Sequence, residues 1–162
     1  MTRFDSYLRS ILERGAEEAR KDGSATIEAH HLLLAIAAEP EPSTQEILTS
    51  AGLDYGSIHA ALDREFEHSL SVAGVSRAAA GLPRPRGVPA HPRPGPSFKL
   101  AMERGVAALA RKRDLRPAHL LLGILGAQVG TVPRALTLAG IDPADLRARV
   151  QQSLATDGEP RR

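Results

Sequence analysis

The sequence predicts an all-α fold of eight helices, arranged as two pseudo-symmetric repeats of four helices each. The first observation is a repeat: residues 31–36 (HLLLAI) return as 119–124 (HLLLGI), and residues 51–54 (AGLD) return as 139–142 (AGID). Both pairs have the same offset of 88 residues, and blocks that keep their spacing in this way indicate a duplicated structural unit. The second observation is that apolar residues recur at helical spacing, so no segment competes as a strand.

Apolar spacing and stop signals place the first two helices of the first repeat. Apolar residues recur every three or four positions over residues 4–22, and Gly23 then provides a stop. Residues 29–38 are nearly all apolar, which predicts a short buried helix. Pro40 and Pro42 cannot continue a helix, so we expect this helix to end before them.

Capping residues place the other two helices of this repeat. Ser43 or Thr44 can cap a third helix that Gly52 ends, and Asp54 or Ser57 can start a fourth. The inner face of the fourth helix is expected to consist of Ile58, Leu62 and Phe66.

The composition changes over residues 70–95, which contain five prolines and four glycines. Such a stretch sustains neither a helix nor a central strand, so we predict an extended linker that is partly polyproline II. Much of the small excess of basic charge lies here, in Arg84, Arg86 and Arg93.

The second repeat follows the same plan. Pro96 can occupy the first turn of a helix over residues 97–113, and a short buried helix is expected over residues 117–127. Thr131 can start the third helix and Asp142 can cap the fourth. The inner face of the fourth helix mirrors that of the first repeat and consists of Leu146, Val150 and Leu154.

These elements divide the chain into four parts: a first repeat (1–69), a Pro/Gly-rich basic linker (70–95), a second repeat (96–155) and a disordered tail (156–162). Each repeat has about 60 residues, near the lower limit at which a domain folds alone. We therefore expect the two repeats to share one core and to form a single pseudo-dimeric domain.

The composition excludes several function classes. The 162 residues include no cysteine, which rules out disulfides, thiolate zinc ligands and a thiol nucleophile. Basic and acidic residues number 21 and 19, and aromatic residues make up only 3% of the chain, so we expect no nucleic-acid partner. Because there is no membrane-spanning apolar run and no signal-peptide pattern at the N-terminus, we expect a cytoplasmic protein.

Three motifs together resemble those of a known family. They are residues 16–20 (AEEAR), the histidine followed by three leucines at 31–34 and 119–122, and the helix stop AGL or AGI at 51–53 and 139–141. This set resembles the N-terminal domain of the Clp ATPases, the double Clp-N motif, and is most similar to its ClpC branch.

The resemblance covers roughly residues 4–67 and 96–154. It implies a non-catalytic module without a cofactor, whose partners are Clp ATPase and protease components, adaptor or substrate proteins and, in some members, cyclic peptides. The chain has no G-x-x-x-x-G-K-[ST] phosphate loop, so it is similar to a freestanding Clp-N domain without ATPase modules.

The resemblance also implies a phosphoarginine site, at which the chain departs from the family. Many members have Thr-Glu before each repeated histidine, and that glutamate contacts phosphoarginine. Here the first pair is Ala29-His30 and the second is Pro117-Ala118, while Glu28 is displaced by two positions from the motif. Because alanine cannot pair with a guanidinium group and neutral histidine does so poorly, we expect no phosphoarginine binding in the family's manner.

The ClpC branch has a groove between the first helices of the two repeats, which cyclic peptides occupy. The resemblance assigns this groove to Met1, Arg9, Leu12, Glu13, Pro94, Lys99 and Glu103. Lys99 and Glu103 keep the family's residue types, and their spacing alone predicts a surface ion pair. Met1 and Pro94 replace aromatic residues, which removes apolar contact area from the groove.

The repeated histidines His31 and His119 are interpreted as structural residues that cap or pack the start of a buried helix. His30 has no counterpart in the second repeat and is less constrained. Adjacent histidines on a helix point about 100° apart, so we expect no metal site there.

The leading hypothesis is a non-catalytic peptide- or protein-binding module that modulates a Clp protease system as an adaptor or a competitor. One alternative is a decoy that sequesters cyclic-peptide antibiotics directed at Clp proteins. Another is a small enzyme that uses His30 or His119, which an open pocket with a carboxylate beside either histidine would favour.

Overall fold

The computed structural model describes residues 2–74, 90–109, 111 and 114–158, and within these residues it contains eight α-helices and one pair of two-residue strands. The helices are α1 (Arg3–Lys21), α2 (Ala29–Ala38), α3 (Pro42–Ser50), α4 (Tyr55–Val72), α5 (Pro96–Ala107), α6 (Pro117–Leu125), α7 (Thr131–Leu138) and α8 (Pro143–Asp157). The strands are β1 (Thr26–Ile27) and β2 (Arg93–Pro94). The predicted all-α fold is confirmed.

The short apolar helices α2 and α6 begin with the same contact. The backbone N–H of Glu28 donates to Nδ1 of His31 at 2.9 Å, and the backbone N–H of Arg116 donates to Nδ1 of His119 at 3.0 Å. Each bond satisfies a backbone donor at the start of a buried helix, where an unpaired donor would be costly. Both histidines are themselves buried.

The repeated glycines end α3 and α7 in the same way. Gly52 has a φ of 73° and Gly140 a φ of 77°, in the left-handed region that glycine adopts without strain. Each is followed by a residue whose N–H donates back across the helix end, with lengths of 2.8 Å after Gly52 and 2.9 Å after Gly140. These closures hold the chain for its turn into α4 and α8.

Helices α2 and α6 lie at the centre of the molecule because nearly all their side chains are apolar and buried. Helix α2 packs against α1 and α4, and α6 packs against α5 and α8. Helix α2 also contacts α6 directly, and the buried apolar residues of both repeats form one hydrophobic cluster. The two repeats therefore share a core.

A short parallel strand pair joins the first repeat to the segment directly before α5, with Thr26 opposite Arg93 and Ile27 opposite Pro94. Prolines are tolerated at this edge because the donors flank Pro94: the N–H of Arg93 and the N–H of Gly95 bond to the first repeat at 3.2 and 2.9 Å. The expectation that no strand forms is wrong at this one edge.

Next to the strands, Glu28 of the first repeat caps the first helix of the second. Its carboxylate accepts hydrogen bonds from the backbone N–H of Ser97 at 3.1 Å and from the Ser97 hydroxyl, at the positive N-terminal end of α5. The Ser97 hydroxyl in turn accepts the N–H of Ala29 at 2.8 Å. We call these contacts between Glu28, Ala29 and Ser97 the inter-repeat clasp.

The clasp requires glycine at position 95, because a Cβ there would lie 1.9 Å from Oε1 of Glu28. A second close approach joins α5 to α6, where a Cβ on Gly123 would lie 1.9 Å from the carbonyl oxygen of Ala101. The residue aligned with Gly123 in the first repeat is Ala35, so α1 and α2 do not need an equally close approach.

Several predicted boundaries differ from the structure. Helix α5 ends at Ala107 rather than at residue 113, since Ala107 and Ala108 are already exposed and no longer cover the core. Helix α6 ends at Leu125 rather than at residue 127. Helix α3 is capped by Glu41, whose carboxylate accepts the N–H of Thr44 at 2.9 Å, and not by Ser43 or Thr44.

The predicted linker and tail contribute residues to the fold. Helix α4 extends to Val72, β2 lies near the other end of the linker, and α8 extends to Asp157. Arg84, Arg86 and the rest of residues 75–89 lie outside the described residues, as do residues 159–162. The division of the chain into two repeats, linker and tail remains a prediction.

Among the helices that the structure describes, none is both long enough and apolar enough to pass through a lipid bilayer.

Candidate functional site: a cavity beside the first repeated histidine

A cavity of about 590 Å³ lies between α1, α2, α4 and the start of α7. Its polar lining residues are Glu18, Lys21, Asp22, His30, His31, His59, Asp63, Glu65 and Thr131. Its apolar lining residues are Leu34, Leu62, Phe66 and Leu70. We call it the histidine cavity. Its volume and its mixture of apolar surface with a few convergent polar groups are typical of ligand-binding sites.

Two adjacent histidines meet one carboxylate in the histidine cavity. Oδ2 of Asp22 lies 3.0 Å from Nε2 of His31 and 3.4 Å from Nε2 of His30. The two imidazole rings have centroids 4.0 Å apart. The expectation that the rings point apart is therefore wrong, because both side chains turn towards the residue that follows α1.

The helix cap fixes the tautomer of His31. Since Nδ1 accepts the backbone N–H of Glu28, the ring proton of neutral His31 lies on Nε2, which donates it to Asp22. The hydrogen bonds from His30 and His31 hold the pKa of the Asp22 carboxyl far below its usual range. Asp22 is therefore ionised at neutral pH, and both ring nitrogens of His31 are occupied.

The same tautomer makes this cluster a poor metal site, although the ligand atoms of Asp22, His30 and His31 lie within 4.8 Å of one another. His31 can offer the lone pair of Nε2 to a metal only if its proton moves to Nδ1. There the proton would face the backbone N–H of Glu28, and the cap of α2 would be lost. Metal binding through His31 thus opposes the contact that starts the helix.

Two buried carboxylates of the cavity have fixed partners. Glu18 accepts the hydroxyl of Tyr55 at 2.8 Å, and Glu65 accepts the hydroxyl of Ser69 at 2.6 Å and Nε of Arg134 at 2.9 Å. Burial opposes ionisation of Glu65, but these hydrogen bonds outweigh it and hold its pKa below the ordinary value. The Glu65–Arg134 pair also joins α4 to α7.

The other two carboxylates remain accessible. The side chains of Asp22 and Asp63 are 60% and 50% exposed. The one ammonium group of the lining, on Lys21, lies 3.4 Å from Glu18 and 3.8 Å from Glu17, and it forms no ion pair with Asp22 or Asp63. The lining therefore holds four carboxylates against one lysine, with histidines counted as neutral.

The apolar wall of the histidine cavity is a stripe along α4. Leu62, Phe66 and Leu70 are spaced by four residues and share one face of the helix. Phe66 is 46% exposed, which corrects the expectation that it lies on the inner face: it lines the cavity instead. Ile58, Leu146 and Val150 are fully buried as expected, while Leu62 and Leu154 are partly buried against the core.

The groove residues suggested by the resemblance lie apart from the histidine cavity. Arg9 and Glu13 are exposed on α1, Leu12 is partly buried against the core, Pro94 is exposed in β2, and Lys99 and Glu103 are exposed on α5. Met1 lies outside the described residues. Although Lys99 and Glu103 are both described, they form no ion pair with each other, so the pairing predicted from their spacing is wrong.

The positions that depart from the phosphoarginine motif have different surroundings. His30 is in the histidine cavity, Ala29 and Ala118 are buried, and Pro117 is partly buried in the first turn of α6. Glu28 cannot replace the missing glutamate, because its carboxylate is engaged in the inter-repeat clasp.

Sequence reasoning missed most of the histidine cavity. No motif in the sequence identifies Glu18, Asp22, Asp63 or Glu65 as residues of a site. A signal was present in the comparison of the repeats: the residues aligned with Glu18, Asp63 and Glu65 are Ala108, Gln151 and Ser153. Carboxylates occupy these three positions in the first repeat and not in the second. This difference indicates a role that is specific to the first repeat.

Fold and cavity together define a class: a helical domain of two four-helix repeats with a ligand-sized cavity against the first. The family model described as the Clp repeat (R) N-terminal domain matches residues 3–114, which is more than half of the chain. The chain belongs to this family, an all-helical domain without catalytic function. No curated protein matched the chain.

Proposed function

We propose that the protein is a non-catalytic binding module of the cytoplasm that captures peptide segments in the histidine cavity and thereby modulates a Clp protease system as an adaptor or a competitor. Membership of the Clp-N family supports the connection to Clp. The observation that carries the proposal is the histidine cavity itself, which combines an exposed apolar stripe with accessible carboxylates.

The chemistry of the repeated histidines supports binding rather than catalysis. His30 meets the condition stated for an enzyme, since its Nε2 lies 3.4 Å from Oδ2 of Asp22 in the histidine cavity, whereas both ring nitrogens of His31 are already bonded. A general base needs a free lone pair within reach of the substrate proton. His119 is buried with its Nδ1 bonded to the backbone N–H of Arg116. Neither repeated histidine is therefore suited to proton transfer.

A reconstituted degradation assay tests the proposal. Purified protein is titrated into a Clp ATPase–protease pair that degrades a fluorescent substrate. A competitor slows degradation and an adaptor accelerates it, in both cases with saturation. An unchanged rate at a large excess of the protein would contradict the proposal.

Two variants show whether the histidine cavity causes the effect. Phe66→Ala removes exposed apolar surface from the cavity wall and is expected to weaken the effect several-fold. Val129→Ala removes an even more exposed side chain, 84% accessible and outside the cavity lining, and is expected to change nothing. If both variants change the degradation rate to the same extent, the effect does not depend on the histidine cavity.

The decoy alternative draws on the groove rather than on the cavity. Lys99 and Glu103 are exposed and not paired with each other, which favours their availability to a ligand. A thermal-shift titration with cyclic peptides that target Clp proteins tests this function. A rise in melting temperature that Glu103→Gln abolishes would support it, whereas no rise would contradict it.

A further inference from the structure

We infer that the histidine cavity receives a lysine or arginine side chain next to an apolar residue of an extended peptide. This inference rests on the proposed function, because it names the class of peptide that the cavity selects.

The charge of the lining favours a cation. Of the four lining carboxylates, Glu65 is paired with Arg134 and Glu18 with Lys21, so Asp22 and Asp63 give the cavity its net negative charge. A cavity with walls of low dielectric concentrates this negative field. A guanidinium or ammonium group entering it would be attracted, whereas a carboxylate or phosphate would be repelled.

The buried groups leave two carboxylates for the ligand. Glu65 is neutralised by Arg134, and Glu18 is bonded to Tyr55 and Lys21. Asp22 and Asp63 are half or more exposed, and their recorded partners are histidines rather than arginine or lysine. An incoming guanidinium or ammonium group would supply a permanent positive charge beside these two carboxylates. Charge-assisted hydrogen bonds of this kind are among the stronger polar contacts in proteins.

The rigid orientation of Asp22 lowers the cost of binding. Oδ2 is held by Nε2 of His31, whose ring is itself fixed by the cap of α2. A carboxylate that is already oriented loses little conformational freedom when a ligand arrives. The cap of a buried helix thus positions a charged group of the cavity.

The apolar stripe on α4 favours a peptide that has an apolar residue next to its lysine or arginine. Leu62, Phe66 and Leu70 can cover the methylene groups of a lysine or arginine and the apolar neighbour of that residue.

The second repeat offers a natural comparison within the same molecule. Its aligned positions carry no carboxylate at Ala108, Gln151 and Ser153, and they carry Arg147 where the first repeat has His59. The acidic cavity is therefore a property of the first repeat rather than of the shared scaffold.

Fluorescence anisotropy with labelled peptides tests the inference without any Clp protein. The probe is a fluorescein-labelled peptide with Leu-Arg-Leu at its centre and glycine–serine flanks. A matched peptide carries citrulline, which is neutral and nearly isosteric, in place of arginine. We expect the citrulline peptide to bind about tenfold more weakly. Equal binding of the two would overturn the inference.

Protein variants locate the contact. Asp63→Asn keeps the size of an exposed side chain but removes its charge. It should weaken binding of the arginine peptide by about three- to tenfold. Asp145→Asn, on the exposed face of α8, is the control and should leave affinity unchanged. Circular dichroism melting verifies that both variants fold. If Asp63→Asn and Asp145→Asn behave alike, the cation does not bind in the histidine cavity.

A phosphorylated probe separates this site from the family's phosphoarginine site. We expect the peptide with phosphorylated arginine to bind more weakly than the unmodified peptide, because the two accessible carboxylates, Asp22 and Asp63, repel the phosphoryl group. Tighter binding would overturn the inference. The degradation assay tests the proposed function independently. If the protein distinguishes the arginine and citrulline peptides but does not change degradation by a Clp protease, only the proposed function is contradicted. If it changes degradation but does not distinguish the two peptides, only this inference is contradicted.

Discussion

The two repeats start their central helices alike but use the capping residue differently. In the first repeat the side chain of Glu28 crosses to the other repeat and bonds Ser97. In the second repeat the aligned residue is Arg116, whose guanidinium turns back on its own repeat, donating to the carbonyl oxygen of Leu154 at 3.0 Å and lying 3.5 Å from Asp157. The residue at this position therefore joins the two repeats in the first copy, as Glu28. In the second copy, as Arg116, it contacts the last helix of its own repeat.

The space beside the repeated histidine differs accordingly. At His31 the histidine cavity is open, because Phe66 remains half exposed and His30 and Asp22 face solvent. At His119 the residue aligned with Phe66 is Leu154, which packs against the core beneath Arg116. Both repeats have the histidine cap, whereas only the first has an acidic opening next to it.

The largest effect is expected at Gly123, where the second repeat is packed more closely than the first. Gly123→Ala places a Cβ against the backbone of Ala101 and should destabilise the protein by about 3 kcal/mol or more, because backbone cannot move aside. Gly15→Ala in the first repeat meets only side chains, at 3.2 Å or more, and should stay within about 1 kcal/mol of wild type. Urea unfolding measures both, and similar losses would contradict the difference in packing.

The next effect concerns the two capping residues. Glu28→Ala removes a charged acceptor from the N-terminus of α5 and should cost about 2–3 kcal/mol in the free energy of unfolding. Arg116→Ala removes a partly exposed side chain and should cost about 1 kcal/mol. Urea unfolding measures both free energies. A larger loss of stability for Arg116→Ala than for Glu28→Ala would show that the clasp stabilises the protein less than the contacts of Arg116 with α8 do.

A smaller effect is expected from pH. Burial and the nearby charge of Arg116 lower the pKa of His119 below its ordinary value of 6.5. The unfolded chain therefore takes up a proton near pH 6.5 before the folded protein does, so stability is full above that pH and falls as the pH decreases through it. His119→Asn keeps an acceptor for the N–H of Arg116 but does not titrate. Its melting temperature should depend less on pH between about pH 7 and 5 than that of wild type; parallel profiles would contradict this.

The smallest effect is expected at Tyr7, whose buried hydroxyl lies near Thr44 but forms no hydrogen bond of ordinary geometry among the described residues. Its aligned residue in the second repeat is Ser97, whose hydroxyl is fully used in the clasp. Tyr7→Phe removes an unsatisfied polar atom and should be neutral or stabilising by about 1 kcal/mol, as thermal melting can show. A clear loss of stability would reveal a partner for this hydroxyl.

The parts of the fold that depend on neighbouring residues were predictable from the sequence. Apolar spacing, the glycine stops and the caps at Asp54 and Asp142 act within one turn of helix, and the repeat tied the two halves to one plan. The exact ends of α5 and α8 were harder to predict, since they depend on how far along each helix the contact with the core continues.

The contacts between distant segments were not predictable. Glu28 and Ser97 are 69 residues apart, and nothing in either local sequence identifies the other as a partner. The histidine cavity likewise requires the end of α1, the start of α2 and one face of α4 to meet in space. The side chains that line it look like ordinary surface residues in the sequence, and only the missing carboxylates of the second repeat single them out.

The inter-repeat clasp has a consequence for the history of the molecule. If two first repeats were to associate as identical subunits, Glu28 would face Tyr7, the residue aligned with Ser97. The phenol ring cannot occupy the space of the serine hydroxyl, and no glycine would be present at the position of Gly95, where the aligned residue is Asp5. A carboxylate would then oppose a carboxylate. The two halves have become complementary rather than equivalent, so this duplication can no longer be reversed to a homodimer.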